Sequence, residues 1–334
     1  MAVKVGINGL GRIGRMALRS IIENNRKDIE VVAINNRANS EISSFLLKHD
    51  TIHGKLKAKI KSSENEIEIN GKKIPLSHET EISKINWKKN KVDVVLECTG
   101  KFNTKEKSSQ HIKSGSKKVL VSAPCKGATN IVFGVNQKTL TNNDQVISAA
   151  SCTTNCLAPV AKVINDNFGI DRGFMTTIHS YTPDQKLLDN SHKDLRRARS
   201  APNSMIPTTT GATKSLGDVI PNLKGKVEGI SIRVPTPNVS LVEFVFSSKK
   251  NMTVEEINNS FIKASKAELK NILDTSNEQL VSSDFNHNPH SSIVDLALTK
   301  VADGNMAKVS AWYDNEWGFA NRMCDLAVYL GSLK

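Results

Sequence analysis

The fold is decided close to the N-terminus, where residues 3–15 read VKVGINGLGRIGR. A short apolar run that alternates like a strand leads into glycines at 9, 11 and 14, and a helical run, Met16–Ile22, follows. In the pattern G-x-G-x-x-G the first glycine permits a tight turn, the second lets the backbone approach a pyrophosphate, and the third lets the helix pack on the strand. Because the pattern here follows a strand and opens a helix, it predicts a dinucleotide-binding βαβ unit with Gly9 and Gly11 at the cofactor.

Strand-like and helix-like segments alternate through the first half of the chain. Strands are expected at Glu30–Ile34, Val92–Glu97 and Lys118–Pro124, helices at residues 40–49 and about 104–114, and a hairpin around the turn Asn70-Gly71. Such alternation predicts a doubly wound α/β sheet, which binds its ligands at the carboxyl ends of the strands. Thr99 lies just after one of these strands and Ser122 near the end of another, and we expect both at that edge, beside the cofactor.

The residue that follows the second strand bears on the choice between NAD and NADP. An acidic side chain commonly accepts hydrogen bonds from the adenosine ribose there, but this chain has Asn36, followed by Arg37. An amide does not repel a 2′-phosphate as a carboxylate would, and an arginine is suited to pair with one. The pattern therefore points towards NADP or dual use, while Arg37 as a solvated surface residue remains an equal alternative.

Length and composition indicate a two-domain cytoplasmic protein. A chain of 334 residues is expected to form two domains. No apolar run reaches membrane-spanning length, and the first residues lack the layout of a signal peptide. The five cysteines are scattered, which is typical of reduced thiols in a cytosol. No Cys or His cluster has zinc spacing, so no metal site is predicted.

The net charge of +13 allows two interpretations. A basic protein can bind nucleic acid, but its lysines can also form a solvated surface. The lysines here are spread along the chain without interleaved aromatic residues or a nucleic-acid motif. The second interpretation is favoured, and neither a nucleic-acid nor a membrane partner is predicted.

A cysteine lies at a second junction between a strand and a helix. Residues 146–150 read as a short strand, Ser151-Cys152-Thr153 follows, and residues 157–164 read as helix. The unpaired N–H groups and positive dipole end of that helix would lower the pKa of the Cys152 thiol and favour the nucleophilic thiolate. Such a cysteine suits covalent attack on a carbonyl. Taken alone, a buried structural cysteine is an equally good interpretation.

Beyond Cys152 the pattern changes to longer strands. A β-branched strand over residues 173–181 contains His179, a polar loop spans residues 182–207, and residues 207–212 form a plausible anion cradle. Strands at 226–246 and a helix near 253–266 predict a second, α+β domain with a mainly antiparallel sheet. By residue type His179 is the best candidate for a base that serves Cys152, although a single histidine is more often structural.

Together these motifs closely resemble those of the phosphorylating glyceraldehyde-3-phosphate dehydrogenases of bacterial type. The resemblance runs through essentially the whole chain and rests on residues 6–15, Ser151–Pro159, His179–Thr182, Asp194–Arg199, Pro207–Ala212, Arg233–Asn238 and Trp312–Gly318. It implies a Rossmann domain for residues 1–151 and 315–334 and a catalytic domain for residues 152–314. It also implies a homotetramer, in which the loop of residues 182–207 packs across subunits.

The resemblance implies a covalent reaction cycle. The Cys152 thiolate would attack the aldehyde of glyceraldehyde 3-phosphate, and His179 would accept the proton as hydride leaves for NAD or NADP. The N–H of Cys152 and His179 would stabilise the oxyanion. Inorganic phosphate would then release 1,3-bisphosphoglycerate from the thioester. The alternative is erythrose-4-phosphate dehydrogenase, a sister enzyme that releases its acid with water.

Further roles follow from the resemblance, residue by residue. The substrate phosphate would contact Thr182, Asp184 and Arg233, with Asp184 orienting an arginine. Inorganic phosphate would contact Ser151, Thr153, Arg197, Thr210 and Gly211. The cofactor would contact Gly9, Gly11, Arg12, Ile13, Asn36, Arg37, Thr99, Ser122, Ser191 and Asn315, the last through the nicotinamide amide. Cys156 would be a packed residue without a catalytic role.

Three positions depart from the pattern of NAD-specific relatives. Asn36 replaces an aspartate, and Asn190-Ser191 replaces Leu-Pro. In NADP-using relatives a serine of a neighbouring subunit's loop binds the 2′-phosphate, so both changes favour dual NAD/NADP use or an NADP preference. Pro183 replaces an asparagine that is common beside the nicotinamide, and the sequence predicts no effect for it.

Overall fold

The computed structural model describes residues Met1–Leu333. The backbone separates into two units, one formed by residues 1–150 with the C-terminal residues from Ala320 onward, the other by Ser151–Phe319.

The first unit is built on a nine-stranded sheet. Its elements in chain order are β1 (Val3–Asn8), α1 (Arg12–Glu23), β2 (Ile29–Asn35), α2 (Ser40–Lys48), β3 (His49–Asp50), β4 (Gly54–Lys55), β5 (Ile60–Ser63), β6 (Glu66–Ile69), β7 (Lys72–Ser77), β8 (Val94–Glu97), α3 (Lys105–Ser108), α4 (Gln110–Lys113), β9 (Lys118–Val121), β10 (Thr129–Asn130) and β11 (Val146–Ser148). The strand order is β10-β11-β9-β8-β1-β2-β7-β6-β5, and β3 pairs separately with β4.

Most of this sheet is parallel, as the alternating sequence predicts. Each neighbouring pair from β10 along the sheet to β7 is parallel. The antiparallel pairs of this sheet are β7–β6 and β6–β5. Every residue of β8 and β9 is buried, which explains their continuous apolar runs. Asn70 and Gly71, with φ of 52° and 85°, form the predicted turn between β6 and β7. The prediction of a Rossmann sheet is confirmed.

The second unit contains an eight-stranded sheet. Its elements are α5 (Cys152–Phe168), β12 (Ile170–Ser180), β13 (Ile206–Thr209), α6 (Ala212–Val219), β14 (Val227–Val234), β15 (Ser240–Ser248), α7 (Val254–Lys266), β16 (Leu273–Ser276), β17 (Ser292–Asp295), β18 (Lys300–Ala302) and β19 (Met306–Tyr313). The order is β13-β14-β12-β15-β19-β17-β16, with β18 also on β19. Only β12–β14 and β16–β17 are parallel pairs, so the sheet is mainly antiparallel, as predicted. Helix α8 (Trp317–Ser332) closes the chain.

Helix α5 begins at the predicted position. Ala150 precedes it in the left-handed region, with φ of 56°, so the chain turns sharply after β11. The Ser151 hydroxyl then caps the helix by accepting a hydrogen bond from the Thr154 N–H at 3.1 Å. This turn and cap place Cys152 at the first helical position. Across residues 1–333, none of the helices combines the length and apolar character needed to cross a bilayer.

The loop between β12 and β13 is held by its own polar contacts. The Asp189 carboxylate accepts hydrogen bonds from Arg199 Nε at 2.8 Å and from the Ser200 N–H at 2.9 Å. The Ala201 N–H donates to the Lys186 carbonyl at 2.8 Å. The long segment that the sequence singles out therefore has a defined course.

The glycine turn generates the first prediction. A Cβ at position 14 would lie 2.0 Å from the Gly9 carbonyl oxygen, so α1 packs on β1 at a distance that only glycine allows. We expect Gly14→Ala to lower the free energy of unfolding by about 1–3 kcal/mol, the usual cost of overpacking. Urea denaturation measures it.

Gly11→Ala is the matched control. Gly11 has φ of −69°, and the nearest atom to an added Cβ lies at 4.0 Å, so we expect its stability to be close to that of the parent. Equal losses in the two variants would contradict the packing role of Gly14.

Candidate active site

The thiol and the imidazole that the sequence singles out lie together in the second unit. Cys152 begins α5 and His179 lies near the end of β12. Cys152 Sγ is 3.5 Å from His179 Nε2. His179 is buried, and Cys152 is partly buried. A nucleophile within reach of a buried base is the arrangement that covalent attack on a carbonyl requires.

The tautomer of His179 follows from its second nitrogen. Nδ1 lies 2.6 Å from the Ser180 carbonyl oxygen. A carbonyl oxygen only accepts, so the proton is on Nδ1, and Nε2 presents its lone pair to Cys152. Arg233 Nη1 lies 2.9 Å from the same nitrogen, but a guanidinium only donates, so beside a protonated Nδ1 its hydrogen bond goes to the Ser180 carbonyl, at 3.3 Å. The Ser180 carbonyl thereby sets His179 as a proton acceptor.

Burial controls the ionisation of this pair. Burial, together with the positive charge of Arg233, lowers the pKa of His179 to about 3. Burial also raises the pKa of Cys152, although Arg233 and the N–H of Thr153 act in the opposite direction. The sequence predicts a lowered thiol pKa at the helix start, and this prediction is wrong for the protein without ligands, because desolvation outweighs the helix terminus. The resting pair is a thiol beside a neutral imidazole.

Tyr313, at the end of β19, belongs to the same cluster and was missed from the sequence. Its hydroxyl lies 2.9 Å from the hydroxyls of Thr153 and Thr177. Its ring packs edge-on against His179, with centroids 5.9 Å apart. Thr153 is buried, and its hydroxyl is hydrogen-bonded to Tyr313. Its role at the inorganic-phosphate site stays a prediction.

Arg197 lies between two carboxylates. Its Nε donates to Asp194 at 3.2 Å, one Nη donates to Asp184, and the other to the Thr209 carbonyl at 3.3 Å. The bond to Asp184 is the arrangement expected if that carboxylate orients an arginine. Asp194 has the same function in the structure, and nothing in the sequence indicated it.

The start of α6 lies next to this arginine. The Thr210 hydroxyl accepts a hydrogen bond from the Ala212 N–H at 3.2 Å, and Gly211 is the N-cap without a side-chain cap. A Cβ at Gly211 would have no atom within 4 Å. The structure thus brings Arg197, Thr210 and Gly211 together around free space beside a helix N-terminus, which suits an anion.

The other predicted phosphate ligands have identifiable partners. Thr182 donates hydrogen bonds to buried Gln185 from its N–H, at 2.9 Å, and its hydroxyl, at 3.2 Å. Arg233 pairs with His179 across parallel strands β14 and β12. Its Nε is buried and has no hydrogen-bond acceptor within residues 1–333. The Ser151 hydroxyl caps α5.

The first unit contains a cavity at the carboxyl ends of β1, β2 and β8. Its volume is about 490 Å³, and its lining includes Asn8, Gly9, Gly11, Asn35, Asn36, Arg37, Cys98 and Thr99. Gly9 adopts φ of +94°, and a Cβ there would meet Thr99 at 2.9 Å. The backbone at Gly11 is open on its Cβ side, and no side chain caps the N-terminus of α1. These features fit a bound dinucleotide pyrophosphate.

The side chains predicted to bind the cofactor at this cavity differ in how much of their hydrogen-bonding capacity the protein itself uses. Asn36 accepts a hydrogen bond from the Leu10 N–H at 3.2 Å and donates to Ser43 Oγ at 2.9 Å, whereas Arg37 is exposed. The Arg12 guanidinium donates to Asp50, with one bond of 3.1 Å. Burial alone would raise the pKa of Asp50, but Arg12 and local N–H groups hold it well below its usual range. Arg12 thus offers a ligand mainly its main chain.

A buried carboxylate organises the same edge of the sheet and was also missed. Glu97 accepts hydrogen bonds from Asn8 Nδ2 at 2.6 Å, His111 Nε2 at 2.9 Å and the Thr99 N–H at 2.8 Å. Its carbonyl accepts the Ser122 N–H at 3.0 Å. Glu97 therefore holds the two predicted residues Thr99 and Ser122 in place.

The remaining predicted positions lie elsewhere in the two units. Ile13 is half-buried in the first turn of α1, and Ser191 is exposed in the loop of the second unit. Asn315 is buried two residues after the end of β19, and its amide oxygen accepts hydrogen bonds from the hydroxyls of Ser180 and Ser240. Cys156 is buried, and burial raises the pKa of its thiol, as expected for a packed residue.

The neutral state of His179 predicts a pH dependence of stability. Between about pH 6.5 and pH 3 the unfolded chain binds a proton on His179 that the folded protein does not. The free energy of unfolding should therefore fall as the pH falls through this window, by about 1.4 kcal/mol per pH unit from this group. His179→Asn lacks this contribution.

Urea denaturation of both proteins at pH 7, 6 and 5 checks it. The parent should lose stability relative to His179→Asn at each step below pH 6.5. A difference that does not change with pH would mean that folded His179 binds its proton with ordinary affinity.

Comparison with known proteins agrees with this geometry over the full length. Residues 3–105 match the glyceraldehyde 3-phosphate dehydrogenase NAD binding domain, and residues 151–315 match the C-terminal domain of the same family. Relatives named glyceraldehyde-3-phosphate dehydrogenase include those of Cereibacter sphaeroides, 53% identical, and Xanthobacter flavus, 52% identical, each with 100% of both chains covered. That of Geobacillus stearothermophilus is 51% identical with 99% of both chains covered. The chain belongs to the glyceraldehyde-3-phosphate dehydrogenase family.

Proposed function

We propose that this protein oxidises glyceraldehyde 3-phosphate to 1,3-bisphosphoglycerate with a nicotinamide dinucleotide and inorganic phosphate. The observation that carries the proposal is the Cys152 Sγ, 3.5 Å from His179 Nε2 at the start of α5. The family and the printed names of the full-length relatives support the same reaction.

Cys152 and His179 divide the covalent steps between them. As Cys152 Sγ bonds to the aldehyde carbon, its proton passes to His179 Nε2, whose partner nitrogen stays protonated on the Ser180 carbonyl. The N–H groups at the start of α5 stabilise the negative oxygen of the hemithioacetal. His179 Nε2 returns its proton to this oxygen, which gives the neutral hemithioacetal, and takes the same proton up again from the hydroxyl in the oxidation that gives the thioester. Phosphate attack on the thioester carbon then releases the Cys152 thiolate.

Two groups of residues are proposed for the two phosphates. Arg233, with Thr182, would hold the phosphate of the substrate, and the hydrogen bond of Arg233 to the Ser180 carbonyl beside His179 supports this role. Arg197, Thr210, Gly211, Ser151 and Thr153 would hold inorganic phosphate. Asp184 and Asp194 orient Arg197. Guanidinium groups and helix N–H groups are suited to tetrahedral oxyanions.

The cofactor is proposed to lie on the glycine turn and on Asn315. Gly9, Gly11, Arg12 and Ile13 would hold the pyrophosphate through their backbone, and Asn36 and Arg37 the adenosine ribose. Asn315 would bind the carboxamide of the nicotinamide. When bound, the cofactor supplies the hydride acceptor. The domain bounds at 151/152 and 314/315 and the cytoplasmic location stay predictions.

Phosphate dependence tests the reaction. We expect rapid reduction of NAD or NADP with glyceraldehyde 3-phosphate, and strong dependence of the initial rate on phosphate. Cys152→Ser should abolish the activity, and His179→Asn should lower kcat by about 10²–10⁴, the usual contribution of an acid–base group. Cys156→Ser, with a buried thiol one turn further along α5, is the matched control and should stay active.

The alternative enzyme predicts a different outcome. Erythrose-4-phosphate dehydrogenase transfers the acyl group to water, so its rate would not depend on phosphate and would be higher with erythrose 4-phosphate. The full-length relatives named glyceraldehyde-3-phosphate dehydrogenase do not favour it. An active Cys152→Ser protein would contradict both.

We further propose dual use of NAD and NADP or an NADP preference. Asn36 and Arg37 line the cavity of the first unit without a carboxylate at position 36, and the side chain of Ser191 is exposed. A neutral residue at position 36 and a nearby cation both favour a 2′-phosphate. Ser191 would contribute from the loop of a neighbouring subunit.

Asn36→Asp tests the cofactor preference. An aspartate would keep the bond from the Leu10 N–H, and the Ser43 hydroxyl would rotate to donate to it, so the fold should be retained. We expect kcat/KM for NADP to fall by about tenfold relative to that for NAD, because the new charge repels the 2′-phosphate. Adding Asn190→Leu and Ser191→Pro should lower kcat/KM for NADP, relative to that for NAD, further. Asn39→Asp adds the same charge at the N-cap of α2 and should change the ratio little; an unchanged ratio in Asn36→Asp would contradict the proposal.

A homotetramer is proposed as the working assembly. The loop of residues 182–207 exposes four large apolar side chains, Leu187, Leu188, Leu195 and Met205, which are 70%, 75%, 82% and 75% exposed. Apolar side chains concentrated on one ordered loop are typical of a surface that another chain covers. This observation supports packing of the loop between subunits.

A further inference from the structure

Three strand ends converge on Asn315 in the second unit. Ser180 ends β12, Ser240 begins β15, and Asn315 comes two residues after the end of β19. These strands are neighbours in one sheet, since β15 pairs with both β12 and β19. Asn315, Ser180 and Ser240 are 6%, 0% and 1% exposed. The hydrogen bonds among them are therefore shielded from water.

The directions of these hydrogen bonds are determined. The Ser240 hydroxyl oxygen accepts from the Ser180 N–H at 3.1 Å. The Ser240 proton has two acceptors within reach, Asn315 Oδ1 at 3.0 Å and Ser180 Oγ at 3.5 Å, and the shorter bond is to Asn315. The Ser180 hydroxyl donates to the same amide oxygen at 2.9 Å. An amide oxygen has two lone pairs, so both are used. What Asn315 has left to offer is its Nδ2 group, which has no acceptor within residues 1–333.

From this we infer that Ser180 and Ser240 are positioning residues that fix the Asn315 amide so that it presents N–H donors to the cofactor. A rotation of the amide by 180° would place Nδ2 against the two hydroxyls. The Ser240 proton would keep only the longer bond to Ser180 Oγ, at 3.5 Å, and the Ser180 proton would lose its acceptor, which is costly in a buried site. The Nδ2 group of Asn315 therefore favours a ligand group with an acceptor oxygen. On the proposed function, on which the inference rests, that group is the carboxamide carbonyl of the nicotinamide.

The test compares the binding of two ligands by calorimetry. One is NAD, and the other is the NAD analogue whose pyridinium ring has no carboxamide. The ratio of their dissociation constants isolates the contribution of the carboxamide. In the parent protein we expect NAD to bind at least about tenfold more tightly, the value of one well-placed hydrogen bond.

The variants Ser240→Ala and Ser180→Ala each free one lone pair of Asn315 Oδ1 and lower the cost of the rotated amide. Each should lower the ratio by about threefold to tenfold, mainly by weakening NAD. Ser310→Ala is the matched control, since Ser310 is equally buried but donates to Glu243 at 2.9 Å. Its ratio should equal that of the parent.

A serine with only a structural role would weaken both ligands equally and leave the ratio unchanged. An unchanged ratio in Ser240→Ala and Ser180→Ala, a parent without preference for NAD, or an equal fall in Ser310→Ala would each overturn the inference. Because the ratio needs no substrate, its result is independent of the proposed reaction. A protein inactive with glyceraldehyde 3-phosphate whose ratio still falls in Ser240→Ala would refute the reaction and retain the inference.

Discussion

The chemistry of this protein depends on one short contact, that between Cys152 and a buried, neutral His179. The contact exists because Ala150, in the left-handed region, and the cap at Ser151 turn the chain so that α5 begins at Cys152. His179 lies opposite because it stands near the end of β12. The Ser180 carbonyl fixes the proton on Nδ1, at 2.6 Å. Once that proton is fixed, the remaining nitrogen can only accept. The role of His179 as a proton acceptor therefore follows from its hydrogen bond to one main-chain oxygen.

Burial shifts the pKa values of Cys152 and His179 in opposite directions. It raises the pKa of the thiol and lowers that of the imidazole. Both shifts favour the uncharged pair, so negative charge develops on sulfur only as the proton moves to His179. The positive charge of Arg233 adds to the effect of burial in lowering the pKa of His179. The same side chain is the one proposed to hold the phosphate of the substrate.

The sequence predicts the scaffold well because its signals are local. Glycine spacing at residues 9–14, buried β-branched runs and the Asn70-Gly71 turn each depend on neighbours in the chain. The same holds for the start of α5 at Cys152, where the cap lies three residues from its partner.

The interactions that the sequence does not predict are non-local. The Tyr313 hydroxyl is hydrogen-bonded to Thr153 and Thr177, which lie far from it in the chain, so this cluster has no sequence signature. Arg12 is neutralised by Asp50 from another segment. The thiol pKa was predicted in the wrong direction because a helix terminus is visible in sequence, whereas desolvation depends on everything that packs around it.

The most direct measurement is to trap the acyl group on the enzyme. The protein is mixed with glyceraldehyde 3-phosphate and cofactor in the absence of phosphate, quenched in acid, and examined by intact mass spectrometry and peptide mapping. The account predicts a thioester adduct of the phosphoglyceroyl group on Cys152, which disappears when phosphate is added before the quench. Absence of the adduct, its location on another cysteine, or a lifetime unaffected by phosphate would contradict it.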